Sequence, residues 1–567
     1  MDNYELSLAI REEIGERRGI GHTLNNLGSL YSRLGEYSQA LDYYQRSLAI
    51  LKQIGDRRGE AVILNNLGNI YSRLGKYSQA LAFYEQSLAI REEIDDRRGE
   101  GLMLSNLGNL YARLGDDSQA LTFYERALEI REEINDRRGV GESLNNIGSL
   151  HDSQGDYPQA LASYEQSLAI RREIGDRRGE AVMLNNIGSV YSRLAKYPQA
   201  LDYYERSLAI RTEIGDRRGK GVMLNNIGSV YSRLGDYSKA LTFYEESLAI
   251  REGINDQAGK GVTLWNIGDA LVKQDQPELA IIFLKRSVSV YESIRSGLIS
   301  LDESLQSSYT DTVADTYRQL ADLLLQENRI LEAQAVLDLL RTQELEDYFQ
   351  DVRSSINTNN DVDYWEPEEN ILTLYQQFLS NKTELADLRA QAYGTLSPEQ
   401  VQRLRELQTQ ENTLTTNFND FIDRADVQED VATLRKATTG DIELDTLTDL
   451  QNNIANLPNA LIIYPLIFEN RLELILVPSD APPIRRRIEV TSKELNQAIL
   501  DYRDILRDPT QPAKPVAQKL YNWLIAEIEP DLQALGTKTI VYSPDGALRY
   551  IPLAALHDGS QWLAERF

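Results

Sequence analysis

From Leu24 the chain places apolar or small residues at Leu24, Leu27, Gly28 and Tyr31, the i, i+3, i+4, i+7 spacing of one helix face. The run stops at Gly35, a residue that ends helices. Ala40, Leu41, Tyr44, Ser47 and Leu48 then take up the helical spacing again as far as Ile54 and Gly55, with small Ala40 and Ser47 permitting a close neighbour. The pattern predicts two helices, A and B, joined by a short turn. It recurs at a period of 40 residues: close copies of LNNLGSLYSRLGEYSQALDYYQRSLAI start at Leu24, Leu64, Leu104, Leu144, Leu184, Leu224 and Leu264, seven full repeats.

A recurrent IGDRRG, at Ile54, Ile174 and Ile214 with variants between, joins each repeat to the next. Gly55 suits a left-handed helix end and Asp56 the N-cap of the following A helix. Arginine in a first turn opposes the helix dipole, so Arg57 and Arg58 are expected to reach carboxylates such as Glu92 and Glu93. Anion binding is the alternative. GDRRGKG at Gly215 is one residue short of a phosphate loop and follows no strand, so no nucleotide site is read there.

At 100° per residue from Leu24 the apolar stripe centres near 350°, while Asn26 falls near 200° and Arg33 near 180°. Both face away from the core. The asparagine returns as Asn66, Asn106, Asn146, Asn186, Asn226 and Asn266, and the arginine as Arg73, Arg113, Arg193 and Arg233, with Ser153 and Lys273 in two repeats.

The pattern L-x-x-L-G-x-x-Y followed by A-x-x-x-Y resembles the tetratricopeptide repeat over residues 20–295, in the 40-residue form found in Pins-type scaffolds and kinesin light chains. The resemblance implies a superhelix whose inner groove is lined by the asparagine and arginine rungs, and a protein or peptide ligand held there. An amide offers a donor and an acceptor to any peptide unit, and arginine favours carboxylates in the ligand. Two other readings stay open: copied modules keep their surface residues, and asparagine can bond to the next helix. Residues 1–19 align with a B helix alone, so the chain is expected to open in mid-repeat.

Further on, Tyr317, Leu320, Ala321 and Leu324, then Ala333 and Leu337, fit a degenerate eighth unit over 296–349. Residues 350–366 lack periodicity and read as a linker; together with a helical hairpin, serving as a spacer or stalk, they fill 350–445. After that, ALIIYPLIF, RLELILVP and IRRRIEV read as strands, with helices from about Ser492 to Leu506 and from Pro515 to Leu535, and a buried strand at Thr539 to Tyr542. Strand alternating with helix implies an α/β sheet.

SPDGALRYIPLAALHDG, Ser543 to Gly559, resembles the most specific motif of the CHAT domain, a caspase-like domain associated with tetratricopeptide repeats in bacterial proteins. The fold class expected is therefore mainly α: an α-α superhelix, a helical hairpin, and over 446–567 the N-terminal part of an α/β caspase-like domain. In that family the catalytic histidine and cysteine come after this motif. His557 is expected at the surface, Asp545 and Gly546 in a turn, and the domain is expected to be truncated, leaving an unpaired edge beside Thr539 to Tyr542.

Composition narrows the function. With 42 % hydrophobic and 26 % charged residues the chain is globular in type. It has no cysteine, and its histidines, His22, His151 and His557, are scattered, so neither a thiolate nucleophile nor a metal cluster is read, and no cofactor is expected. The net charge of −27 divides into −5 for residues 1–300 and −22 for 301–567, which argues against nucleic acid. The absence of a leader pattern or long apolar run points to no membrane and a cytoplasmic place. The reading is an interaction scaffold whose groove takes a protein or peptide, with acidic residues in that ligand. The alternative is a fragment of a caspase-like cysteine peptidase whose catalytic pair lies beyond Phe567; no peptidase activity is expected of this chain.

Overall fold

The computed structural model describes residues 2–298, 303–346, 362–390, 396–413, 418–436, 451, 454, 457, 459–507, 512–544, 548 and 551–565. Asp545 and Gly546 lie outside them, as does most of the expected linker. Two compact units form: Met1–Thr263 with Leu298–Gln306, and Leu264–Gly297 with Ser307–Phe567.

The first unit opens with the helix Asp2–Glu13 and continues as a regular array of helical hairpins. The A and B helices are Arg17–Leu34 and Tyr37–Gln53, Arg57–Arg73 and Tyr77–Glu93, Arg97–Arg113 and Asp117–Glu133, Arg137–Ser153 and Tyr157–Glu173, Arg177–Arg193 and Tyr197–Glu213, and Arg217–Arg233 and Tyr237–Gly253. The linking turn is built as its residue types dictate. Gly55 takes φ +70°, and the Asp56 carboxylate accepts from the Gly59 N–H at 2.9 Å. That bond, reinforced by Arg18, holds the Asp56 carboxyl below its ordinary value.

Within each of the six repeats of the first unit a helix-A glycine admits a helix-B tyrosine. A Cβ on Gly108 would lie 2.5 Å from Cε1 of Tyr124, and the same approach recurs at Gly68 with Tyr84 and Gly188 with Tyr204. Burial pushes the Tyr84 and Tyr124 phenols up to about 12, so both stay protonated and donate, to Asn69 at 2.8 Å and Asn109 at 2.7 Å. Ser47 is more than a small spacer. Its hydroxyl donates to the Gly21 carbonyl at 2.7 Å, and Ser87, Ser167, Ser207 and Ser247 repeat the bond in their own repeats. Gly108→Ala tests the close approach. Helix propensity alone would favour alanine by about 1 kcal/mol, but crowding a ring that is itself buried costs about 2–3 kcal/mol. A net loss of about 1–2 kcal/mol is expected in thermal melts followed by circular dichroism; a stabilised variant would remove this account of the repeat core.

The second unit holds the helices Pro277–Leu298, Glu303–Gln326 and Ile330–Glu346, with Tyr317, Leu320, Ala321, Leu324, Ala333 and Leu337 all buried. The hairpin forms from Glu366–Ala390 and Pro398–Thr413, zipped by Leu385, Leu388, Leu404 and Leu407 and by an Arg403–Glu384 pair at 2.9 Å. Two features differ from the sequence expectation. Phe418–Ile422 and Ala425–Lys436 are separate helices, and the first of the pair is no free stalk: Tyr375 packs edge-on against Phe283 (5.0 Å) and Phe418 (5.5 Å) in an aromatic core.

A charged cluster is buried beside that core. The Lys285 ammonium, fully buried, contacts Glu332 at 2.6 Å and Glu368 at 2.7 Å, and Arg329 reaches Glu368 at 2.8 Å while lying 3.7 Å over the Trp365 ring. Burial opposes ionisation of Glu368, yet Lys285 and Arg329 outweigh it and hold the carboxyl below its ordinary value.

The sheet orders β3-β2-β1-β4, with β1 Ala460–Ile467, β2 Leu472–Pro478, β3 Ile484–Ile488 and β4 Thr539–Tyr542. β1 pairs antiparallel with β2 (Ile463 opposite Leu476) and parallel with β4 (Leu461 opposite Ile540). β4 is half-buried rather than buried, because among the described residues it stands at the sheet edge with one strand neighbour. The helix Ser492–Arg507 forms as expected, whereas the expected helix from Pro515 to Leu535 breaks into Lys514–Leu524, a short turn and Glu529–Ala534. Pro530 near the start of the last piece lacks the N–H a continuing helix needs.

Candidate functional site

The A helices carry the candidate site, and the asparagines show how their exposed faces are braced. The Asn66 amide donates to Oδ1 of Asn25 at 2.9 Å, Asn106 to Asn65 at 2.8 Å, Asn186 to Asn145 at 3.0 Å and Asn226 to Asn185 at 3.0 Å. The NN pair is thus a polar seam joining consecutive A helices, one of the readings the sequence left open. Each of these donors keeps a second N–H, since an amide nitrogen carries two. Asn26 is exposed, and Asn66, Asn106, Asn146, Asn186, Asn226 and Asn266 are half-buried.

Arg33, Arg73, Arg113, Arg193 and Arg233 are exposed, near the C-terminal end of each A helix. Arg193 is paired with Asp152. Arg73, Arg113 and Arg233 have no ion-pair partner among the described residues.

The two arginines of each linking turn separate. Arg57 pairs with Glu60 at 2.7 Å and with Glu93 on helix B, and those carboxylates raise its pKa further. Arg58 points elsewhere: its side chain is 73 % exposed, with a loose approach of 3.7 Å to Asp96, and Arg98 is 77 % exposed at 3.4 Å from Asp136. Arg18 and Arg218 repeat the arrangement. Reading Arg57 and Arg58 alike missed this second row. The signal was present, since from Leu24 the Arg18 position lies near 120°, on the side of Asn26 and Arg33, and the Arg17 position near 20°, on the packing side.

Between the two rows runs a line of exposed apolar side chains, Val62, Leu102 and Val262. Arg18, His22, Asn25, Arg58 and Val62 line one cavity of ≈ 440 Å³ on this face. A second, of ≈ 360 Å³, is lined by Arg58, Arg98, Leu102, Arg138 and Glu142, among others. The second and third repeats therefore each offer two cations, an amide group and an exposed apolar contact on one surface. Among the described residues, no group of three or more His, Cys, Asp or Glu could hold a metal ion, and no helix is long and apolar enough to cross a membrane.

Among its described residues the C-terminal motif offers no comparable site. His557, expected at the surface, is 2 % exposed: its Nδ1 accepts from the Gly559 N–H at 2.9 Å, and its ring stands edge-on to Trp562 at 4.7 Å. The turn folds back on itself and needs the imidazole inside.

A family model for the tetratricopeptide repeat matches in overlapping steps from residue 2 to residue 293: 2–53, 20–93, 59–133, 99–173, 139–213, 179–253 and 219–293. The chain belongs to the tetratricopeptide-repeat family. The CHAT domain model matches residues 514–567, within the span expected from the motif. No curated protein matches. Among solved structures, the chain aligns with BtubC from P. vanneervenii at 22 % identity and a TM-score of 0.35, covering 38 % of this chain and 90 % of that one. The apo quorum sensor NprR from B. thuringiensis aligns at 17 % identity and 0.40, covering 60 % and 97 %. Aspartyl phosphate phosphatase F from Bacillus subtilis aligns at 14 % and 0.41, covering 64 % and 95 %.

Proposed function

We propose that the tetratricopeptide repeats are an interaction scaffold whose A-helix face is the inner groove and binds an extended, acidic segment of a partner protein. The observation that carries the reading is the pair of exposed arginines, the Arg58 type and the Arg73 type, that five of the six A helices of the first unit present on one surface with the asparagine seam between them. The arginines supply the attraction. The seam supplies spare amide N–H groups at fixed intervals for ligand carbonyls, and the Val62 and Leu102 positions take apolar side chains. A-helix axes spaced about 10 Å apart and an extended ligand rising about 3.3 Å per residue match three ligand residues to one repeat. The fitting partner thus has a carboxylate at every third position.

A synthetic peptide of Glu-Ala-Ala triplets, titrated into the full chain by calorimetry, tests this directly. Binding is expected at low salt and should weaken roughly tenfold as salt is raised to about 0.5 M, because exposed charges are screened; a Lys-Ala-Ala peptide should not bind. Equal affinity for the two peptides, or no binding of either, would contradict the proposal.

The match of residues 514–567 to the CHAT domain favours a second reading, in which the repeats are the partner-sensing part of a caspase-like cysteine peptidase in a bacterial cytoplasm. These 567 residues hold no cysteine, so the nucleophile is not among them.

A further inference from the structure

We infer that the junction of the third and fourth repeats reads a cationic residue of the ligand and so fixes the ligand's register along the groove. The inference rests on the groove reading and adds what the repeats do not share. Four junctions of the first unit are closed by a hydrogen bond between side-chain amides, donated by Asn66, Asn106, Asn186 and Asn226 to the preceding repeat. Between the third and fourth repeats Ser105 stands in place of the accepting asparagine. Its side chain is too short to span the gap: Ser105 is 5 % exposed and its Oγ has no hydrogen-bond partner, while the Asn146 amide donates to no neighbour among the described residues.

The charge changes at the same place. One helical turn before Asn146, Glu142 interrupts the apolar line of Val62 and Leu102, its side chain 49 % exposed and restrained by Arg131 at 3.6 Å. Later in the same helix, Asp152 and Ser153 replace the Ser-Arg found at Ser72 and Arg73, and Asp152 takes up Arg193 from the next repeat. Where the repeats on either side present two arginines, the fourth presents Arg138 and the exposed Glu142 carboxylate. Glu142 also lines the ≈ 360 Å³ cavity, so its charge faces space a ligand side chain can enter.

A lysine on the ligand answers this change. Its ammonium donates to the Glu142 carboxylate, and the Asn146 N–H groups, which Ser105 is too short to engage, remain for the adjoining ligand carbonyl. A glutamate at that point meets Glu142 at close range, and the repulsion rejects every register except the one that brings the cation there.

Two peptides test it on the full chain: uninterrupted Glu-Ala-Ala triplets, and the same peptide with its central Glu replaced by Lys. The Lys peptide is expected to bind about fivefold tighter, with the advantage lost when the Lys is moved to a terminal triplet. In Ser105→Asn/Glu142→Val the order should reverse; Glu142→Gln, which keeps the shape, should abolish the preference without changing the helical signal. If both peptides bind the unaltered chain equally, or the uninterrupted one binds better, the register inference is overturned and the groove stands. If neither binds, the groove reading fails and this inference with it.

Discussion

Replacing Arg58, Arg73, Arg98 and Arg113 together by Glu should abolish binding of the Glu-Ala-Ala peptide, a loss of a hundredfold or more, while the array stays folded. Each exchange removes one attraction and introduces one repulsion; exposed pairs are worth about 0.2–1 kcal/mol apiece, so four reversals accumulate about 2–4 kcal/mol or beyond. The fold should tolerate this, since Arg58 and Arg98 sit in solvent at 3.7 and 3.4 Å from their nearest carboxylates and Arg73 and Arg113 have no ion-pair partner among the described residues. The neighbouring Arg57→Glu should behave in the opposite sense. It breaks the pairs to Glu60 and Glu93, so it weakens the packing of repeat on repeat and leaves the binding face intact. Melting temperature and peptide affinity measured on both variants separate the two arginine rows; a binding loss confined to Arg57→Glu would reverse the assignment.

Glu368→Ala should destabilise the second unit by about 3–5 kcal/mol, the usual result of stranding buried charge. With the carboxylate gone, Lys285 and Arg329 share Glu332 as their remaining carboxylate among the described residues, Lys285 keeping only the Asp363 carbonyl besides, and Lys285 has no exposed surface through which water could replace the lost partner. Removing a matched pair is a different case. Lys285→Met with Glu368→Leu takes away one charge of each sign and should return stability to within about 1–2 kcal/mol of the starting protein. Urea unfolding followed by tryptophan fluorescence reports on this region, because Trp365 lies directly under Arg329. A Glu368→Ala variant as stable as the parent would show that the cluster contributes nothing to the fold.

The array was legible in the sequence because one module is written many times. Leu24, Leu27, Gly28 and Tyr31 name the packing stripe, Gly55 and Asp56 name the turn, and period 40 repeats both, so local spacing carries nearly all of that fold. What the sequence withheld lies between modules or between distant segments. Asn25 and Asn66 read as two surface residues until the stacking of A helices brings amide to amide across 41 positions. Arg57 and Arg58 look alike until a turn of 100° sends one to helix B and the other to solvent. Lys285, Arg329, Glu332 and Glu368 obey no period, and only the tertiary fold unites them. Likewise His557, a polar residue beside Asp558 and Gly559, reads as exposed because nothing local announces that Trp562 folds back over it.

The central claim is that the A-helix face, and not the B-helix face, holds the acidic ligand. A photo-crosslinking residue placed at Leu102, on the line between the arginine rows, and separately at Gln86, exposed on helix B, tests it in one measurement with the Glu-Ala-Ala peptide. The account predicts a peptide adduct from position 102, lost at high salt and in the four-arginine reversal, and none from position 86. An adduct from position 86 as abundant as that from 102, or one at 102 that survives the charge reversal, would contradict it.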